Sequence, residues 1–322
     1  MNRSNFPAHA PLAVQTRGDL IESVHYGSLV ALTSDGGSVL LRGEPTARMY
    51  PRSALKPLMA VAMLRAGVEL SDEQLALASA SHSGAAEHQS TAAAILAGAG
   101  LTPADLGNST DLPYGVEERV QWLAAGNGPT QLTQNCSGKH AALLATCVHN
   151  GWSVENYLHA DHPLAALIRA TVEDLTGEAI TIVSTDGCGT EVFALSLTGM
   201  ARAFARMVTA KPGTPERRVA DAMRAHPGMV AGRGRDVTAL MQTVPGLLAK
   251  DGFEGIQVIA LADGSAVALK ISDGGDRARM PAATPALIAL GVDPEQMTAF
   301  NRLPVYGGGH HVGELLGLPV PL

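Results

Sequence analysis

VHYGSLVALTSDGGSVLLR, residues Val24 to Arg42, sets the architecture. Apolar and β-branched residues fill Val24–Leu32, Ser34-Asp35-Gly36-Gly37 interrupts them, and a second run, Ser38–Arg42, returns. Asp-Gly between two apolar runs signals a hairpin, because both turn positions tolerate positive φ. The pattern recurs near the other end in GIQVIALADGSAVALKIS, where Asp263-Gly264 separates Gly255–Leu261 from Ala266–Ser272. Glu191–Leu197 is a further strand candidate. Between the hairpins the periodicity is helical. Ala54–Ala66, Glu73–Ala80, His88–Ala99, Glu117–Ala125, Lys139–His149, Pro163–Thr176, Met200–Thr209 and Glu216–Ala225 carry Ala/Leu-rich faces, with Pro or Gly in the gaps. Pro285–Leu290 and Pro294–Phe300 read as short helices, and Gly307–His311 as a turn. Strands at both ends with helices between predict an α+β fold: a mostly antiparallel sheet flanked by helices, plus a central helical subdomain. The sheet part is expected at about 12–56 and 242–322, and the helical part at about 57–241, within a single unit.

The chain has 322 residues, 46% of them apolar, with 23 Lys+Arg against 30 Asp+Glu and a formal net charge of -7. A chain this long buries roughly 75% of its unfolded surface, so a full core needs no staples. The acid excess and the lack of a basic block argue against nucleic acid as a partner. No run of 18 apolar residues points to a membrane span. Met1–Arg17 is polar and contains proline, so no signal peptide is expected. Three cysteines, Cys136, Cys147 and Cys188, cannot all pair within one chain. A reducing cytoplasm is therefore the expected setting.

Five clusters hold chemistry-bearing residues. In Arg52-Ser53-Ala54-Leu55-Lys56-Pro57, Ser53 is placed to cap the helix that follows, and Pro57 falls in its first turn. Ser53 and Lys56 share a helix face, and a neutral lysine there can take the serine proton. An isolated S-x-x-K is more often a capping serine and a solvated lysine. Ser79-Ala80-Ser81-His82-Ser83-Gly84 sets three hydroxyls and an imidazole at a helix end, where polar groups commonly satisfy their own backbone. Asn135-Cys136-Ser137-Gly138-Lys139-His140 offers two metal-binding pairs, Cys136 with His140 or Cys136 with Lys139. Its Gly-Lys is not a phosphate loop, since position 133 is Thr133 and His140 follows Lys139. Thr185-Asp186-Gly187-Cys188-Gly189 reads as a strand-end loop, and distant cysteines are commonly small buried hydrophobes. Finally, Lys250 beside Asp251-Gly252 is of interest only if it faces one of the serines.

Taken in order, R-S-A-L-K-P, A-S-H-S, N-C-S-G-K-H-A, T-D-G-C, H-P-G-M-V-A-G and L-L-A-K-D-G resemble the rhizobial-type L-asparaginases, also called class 3 or type-II-family asparaginases. The likeness runs from about Arg17 to about Arg279. It implies a fold like the serine β-lactamases, penicillin-binding proteins and related glutaminases. It implies hydrolysis of L-asparagine to L-aspartate and ammonia by one catalytic unit, in a cytoplasmic homodimer. It places two Ser–Lys tandems, Ser53 with Lys56 and Ser81 with Lys250. It also places a zinc site of uncertain role at Cys136, Lys139 and Cys188, with no organic cofactor. His140 would then stand behind the ligands or face the substrate, while Arg52 would bind the substrate carboxylate and Asp186 its ammonium. The K-T-G and S-D-N triplets of β-lactamases and the T-G-G-T of threonine-nucleophile asparaginases are absent. A glutaminase or penicillin-recognising serine hydrolase on the same scaffold is one alternative, and a metal-binding relative without turnover is another.

Overall fold

A computed structural model describes residues 6–319. The first five residues of the Met1–Arg17 segment lie outside the described residues. The chain opens with strands β1 (Ala10–Arg17), β2 (Leu20–Leu32) and β3 (Ser38–Arg42). A 3-10 turn, Arg52–Leu55, leads into α1 (Lys56–Arg65), followed by α2 (Asp72–Ala78), α3 (Ala86–Gly98), α4 (Val116–Ala124), α5 (Ser137–His149) and α6 (Pro163–Thr176). Short strands β4 (Val183–Thr185) and β5 (Glu191–Phe193) precede α7 (Leu197–Thr209), α8 (Pro215–Ala225), α9 (Pro227–Val230) and α10 (Asp236–Thr243). The chain closes with β6 (Leu248–Gly252), β7 (Ile256–Ala260), β8 (Ala266–Ile271), α11 (Arg279–Ala289), α12 (Thr298–Asn301), β9 (Arg302–Gly307) and β10 (His310–Gly317).

The fold is α+β, with a curled antiparallel sheet flanked by helices. Among the described residues the sheet runs β6-β7-β8-β2-β1-β10-β9, with β3 also paired to β2. Both expected hairpins form. In the first, Leu32 faces Ser38, and Asp35 accepts the Gly37 N–H at 3.1 Å. In the second, Ala260 faces Ala266, and Asp263 accepts the Ser265 N–H at 2.9 Å. The side chains of the turn thus supply acceptors that the ladder leaves out. The glycine-rich stretch before His310 is the loop of the β9–β10 hairpin. Every residue of β6 and β7 is buried, and α11 packs on β7, β8, β1 and β10.

The chain divides into two compact units. The sheet unit holds Met1–Ala54, Ala194–Ala205 and Thr243–Leu322, and the helical unit holds Leu55–Phe193 and Arg206–Gln242. Residues 194–205 therefore group with the sheet, whereas the sequence pattern places all of 57–241 in the helical part. Met49 and Leu195 exchange backbone hydrogen bonds at 2.9 Å, which ties this segment to the sheet unit. The candidate strand Glu191–Leu197 is shorter than its pattern, ending at Phe193 before α7 begins at Leu197.

In the helical unit, α5 is buried on every side from Ser137 to Cys147, against α3, α2 and α1. Helix α1 is buried from Lys56 to Leu64, against α6, α8 and α5. Such helices are core rods rather than amphipathic covers, which explains their Ala/Leu-rich composition. Helix α1 also departs from expectation at its start. Its cap is Leu55, with no side-chain bond, and Ser53 lies inside the preceding 3-10 turn. That turn is closed by Ala54 N–H to the Pro51 carbonyl at 3.1 Å, so the helix begins two residues late and Ser53 is not its cap. Pro57 sits in the first turn, where its missing N–H has no intrahelical partner to lose. Among the described residues, no helix is long and apolar enough to cross a membrane.

The burial pattern gives a paired test of the sheet. Leu269 on β8 is fully buried, whereas Leu41 on β3 is 56% exposed. Leu269→Ala is expected to cost about 2–5 kcal/mol in denaturant unfolding, and Leu41→Ala less than about 0.5 kcal/mol. Equal costs would contradict this assignment of faces.

Candidate active site

The helical unit gathers seven of the ten sequence-derived residues. At the start of α1, Lys56 is 1% exposed, and its amine donates to the Ala80 carbonyl at 2.6 Å and to Ser81 Oγ at 3.1 Å. Ser81 is fixed through its own N–H, which donates to the Val230 carbonyl at 2.9 Å. The next residue, His82, shares a 2.9 Å hydrogen bond with Ser137 at the start of α5, and its N–H donates to the Asn135 carbonyl at 3.2 Å. Burial, and then the neighbouring His88 and Lys56, push His82 well below the usual imidazole range. The loop bearing Ser81 is thus tied to the loop bearing Cys136 by neutral groups. His82 and Ser137 lie in two of the motifs, but their pairing across 55 residues was not readable from the sequence.

Cys136, Lys139 and Cys188 come together. The β4–β5 hairpin pairs Thr185 with Glu191, so residues 186 to 190 form its turn. Lys139, 1% exposed, donates to Cys188 Sγ at 3.0 Å and to Thr190 Oγ1 at 2.8 Å. Cys136 donates its thiol to Asn135 Oδ1 at 3.1 Å and also interacts with Cys188. These contacts split the two thiols. The hydrogen bond with Cys188, followed by burial, raises Cys136 well above the thiol range. Cys188 is lowered, first by the Cys136 hydrogen bond and then by the Lys139 charge and His140, against the opposing effect of burial. Burial alone would lower Lys139, but the two sulfurs outweigh it and the net shift is upward. The two thiols are thus pushed in opposite directions, with the Lys139 amine donating to Cys188.

Asp186 lies in the same turn, where its Oδ1 accepts the Gly187 N–H at 2.8 Å. His140 is fully buried, and its Nδ1 meets Tyr157 Oη at 2.7 Å. Burial, then the Lys139 charge, lowers its pKa to about 4. Cys147 is buried in mid-helix, where burial raises its thiol to about 11.

The sheet unit holds the remaining three. Lys250, with no exposure, donates to Asp251 Oδ1 at 2.5 Å and to the Asp251 carbonyl at 2.8 Å. Two residues on, the Pro51 carbonyl occupies the space that a side chain at Gly252 would fill. The Pro51–Ala54 turn, with Ser53 in it, therefore lies against the end of β6. Arg52 adopts a left-handed backbone, φ 51°, and its guanidinium sits 5.3 Å from the centre of the Phe253 ring.

The sequence profile described as L-asparaginase II matches residues 13–316. The chain belongs to the L-asparaginase II family. All ten candidate residues fall inside the matched span. No curated protein sequence matches the chain significantly. Two solved structures resemble it in outline. One is EstCE1, a hydrolase with promiscuous acyltransferase activity, at 12% identity and a TM-score of 0.44, covering 82% of this chain and 93% of its own. The other is a β-lactamase from Mycobacterium bovis, at 14% identity and a TM-score of 0.39, covering 78% of this chain and 88% of its own. The family membership makes the chain an asparaginase-like amidohydrolase. It also extends the likeness past the Arg17–Arg279 limits of the motifs, into β10.

Two features of this L-asparaginase II chain left no signal in the sequence. Thr190 completes the Lys139 site because the hairpin turn returns it beside Cys188, 3.3 Å from the sulfur. Tyr157 reaches His140 from an irregular segment with no periodicity. The donor set Cys136, Lys139 and Cys188 suits a zinc-type ion, being two convergent thiols and an amine with room in the preferred tetrahedron for one more ligand. Among the described residues no three of His, Cys, Asp and Glu form a metal-binding group, so the set depends on the lysine amine losing its proton.

His140 gives a pH test. Its folded pKa, about 4, lies below the ordinary 6.5, so between these values the unfolded chain binds a proton that the native one refuses. Its stabilising contribution is full above about pH 6.5 and is lost as pH falls towards 4, by up to about 3 kcal/mol. Urea unfolding of chelator-treated protein should show this acid-side loss, and His140→Gln should flatten it. An unchanged slope in the variant would contradict the neutral, buried assignment.

Proposed function

We propose that this chain hydrolyses L-asparagine to L-aspartate and ammonia by Ser–Lys nucleophilic catalysis. The observation that carries the reading is the family match over residues 13–316. The proposal gives Ser53 the attack on the side-chain carboxamide carbon, with Lys56 accepting its proton. As the tetrahedral adduct collapses, a proton passes by way of Ser81 and Lys250 to the leaving ammonia, and water then cleaves the acyl-enzyme. Arg52 is assigned the substrate carboxylate and Asp186 the ammonium, by charge complementarity. His140 is assigned a place behind the ligands or facing the substrate, with its Nδ1 engaged by Tyr157.

The 3.1 Å bond from Lys56 to Ser81 favours a second reading, in which Ser81 is the nucleophile and Lys56 its base. The two readings separate by trapping. Acid quench during turnover, followed by peptide mass spectrometry, should find the acyl group on the peptide bearing Ser53. Acylation at Ser81 instead would transfer the role.

The proposal includes zinc held by Cys136, Lys139 and Cys188. Such an ion supplies a positive charge that orients the substrate and fixes the loops. Water activation is not its role here, because it would leave the serines redundant. The proposal also includes a homodimer, as the family resemblance implies, in a reducing compartment such as the cytoplasm, a setting that suits three free cysteines.

Ser53→Ala and Lys56→Ala should each abolish ammonia release while circular dichroism stays native. Full activity in either would refute the first tandem. One methylene changes affinity by only ~1–3 kcal/mol in an apolar pocket, so asparagine and glutamine must be compared side by side. Turnover of glutamine or a β-lactam without asparagine would overturn the substrate assignment. Cys136→Ser with Cys188→Ser should remove bound zinc, and light scattering should give about twice the 33.2 kDa chain mass.

A further inference from the structure

H-P-G-M-V-A-G, residues His226–Gly232, is the one motif of the six that supplies no group to the proposed reaction or metal site. It lies beside the Ser81 loop, within the helical unit. Pro227–Val230 form α9, and the Pro227 carbonyl accepts from Thr238 Oγ1 of α10 at 3.1 Å. From this base, Gly228, Val230 and Gly232 each reach the residues around Ser81.

Gly228 is reached by a strut. His88 is fully buried in the first turn of α3. Its Nδ1 accepts the Ala85 N–H at 3.2 Å, and its Nε2 lies 3.0 Å from the Gly228 carbonyl. A carbonyl can only accept, so Nε2 donates to it, and the ring bridges two backbone groups. Val230 acts directly, its carbonyl accepting the Ser81 N–H at 2.9 Å. Gly232 acts by close packing. Its φ is 130°, a backbone region open to glycine. A Cβ there would stand 2.8 Å from Ser83 Cβ and overlap Ser83 Oγ. Ser83 is held from its other side, where its carbonyl accepts the Gly115 N–H at 2.8 Å and its hydroxyl donates to Glu118 Oε1 at 2.8 Å. The loop is thus fixed at every second residue, 81, 83 and 85.

We propose that His88 and Gly232 are positioning residues, through which the motif sets Ser81 Oγ at the Lys56 amine. Neither touches the reacting atoms. Ser81 takes part in both nucleophile assignments, as relay or as attacking group, so its placement bears on the rate in either. Misplacing a reacting group by about 1 Å costs on the order of 100-fold. The kinetic consequence rests on the Ser–Lys reading, whereas the clamping of the loop does not.

Hydrogen–deuterium exchange of the full chain tests the clamp without substrate. In the wild-type protein the Ser81 amide should exchange as slowly as those of α5. His88→Phe keeps a ring and removes both bonds, and Gly232→Ala drives a methyl into Ser83. Each should speed exchange of the peptide spanning 80–85 by at least about 10-fold and leave α5 unchanged. Rapid exchange of wild-type Ser81 would overturn the proposal even if neither variant folds. Unchanged exchange at 80–85 in both variants would do the same. Asparagine turnover tests the catalytic link. His88→Phe should lower kcat about 10–100-fold with KM within about twofold. His88→Gln, whose amide can still donate to Gly228, should recover part of that loss. An unchanged kcat, a loss confined to KM, or His88→Gln no better than His88→Phe would refute the link. A wild-type protein inert towards asparagine would sink the Ser–Lys reading and leave the exchange result to decide the clamp.

Discussion

Three lysine amines are shut away from water, at 1%, 1% and 0% exposure for Lys56, Lys139 and Lys250, and each must be given acceptors. An ammonium buried without partners costs several kcal/mol, so the surrounding chain is committed to meeting that demand. Each lysine is met differently. Lys56 has a carbonyl and a hydroxyl, Lys139 a sulfur and a hydroxyl, and Lys250 the carboxylate and carbonyl of its neighbour. These sets grade from neutral to fully charged. Lys250 is paired with a formal anion, Lys139 with a sulfur whose charge it helps to create, and Lys56 with dipoles alone.

Under the zinc proposal, the sulfur cluster would have to serve two chemistries with one residue set. Without a metal, Lys139 donates to Cys188, and the two sulfurs shift its pKa upward. With a metal, the same nitrogen must surrender its proton and Cys136 must lose its own, so binding would release protons and depend steeply on pH. The short bonds already present place the donors together, which reduces the rearrangement needed on binding.

The hairpins were legible because Asp-Gly punctuation and β-branched runs are local signals, and both registers follow from turn side chains two residues away. Strands β1, β6, β9 and β10 were not. β6 buries Lys250 and Asp251, against the apolar pattern, while β9 alternates weakly and includes Pro304. Ser53 was misread as a helix cap because the 3-10 turn before α1 is set by the Pro51 carbonyl and its fit against Gly252, which is a tertiary constraint. Among the site residues, Cys136, Lys139 and Cys188 were found through ordered motifs. Thr190 and Tyr157 were not, since a threonine two positions past a cysteine and a tyrosine in an irregular segment look like any others. What selects them is the company they keep in space.

The β4–β5 hairpin is three residues per strand, and every residue of β4 is exposed. Its turn nevertheless supplies both Cys188 and Thr190. A two-stranded ribbon of this length has little cooperative stability of its own and can fray while the helical core beside it stays closed. Entry of a thiol reagent to Cys188 would then proceed through this small fluctuation. Its rate would be nearly independent of low denaturant concentrations, because such a local opening exposes little new surface.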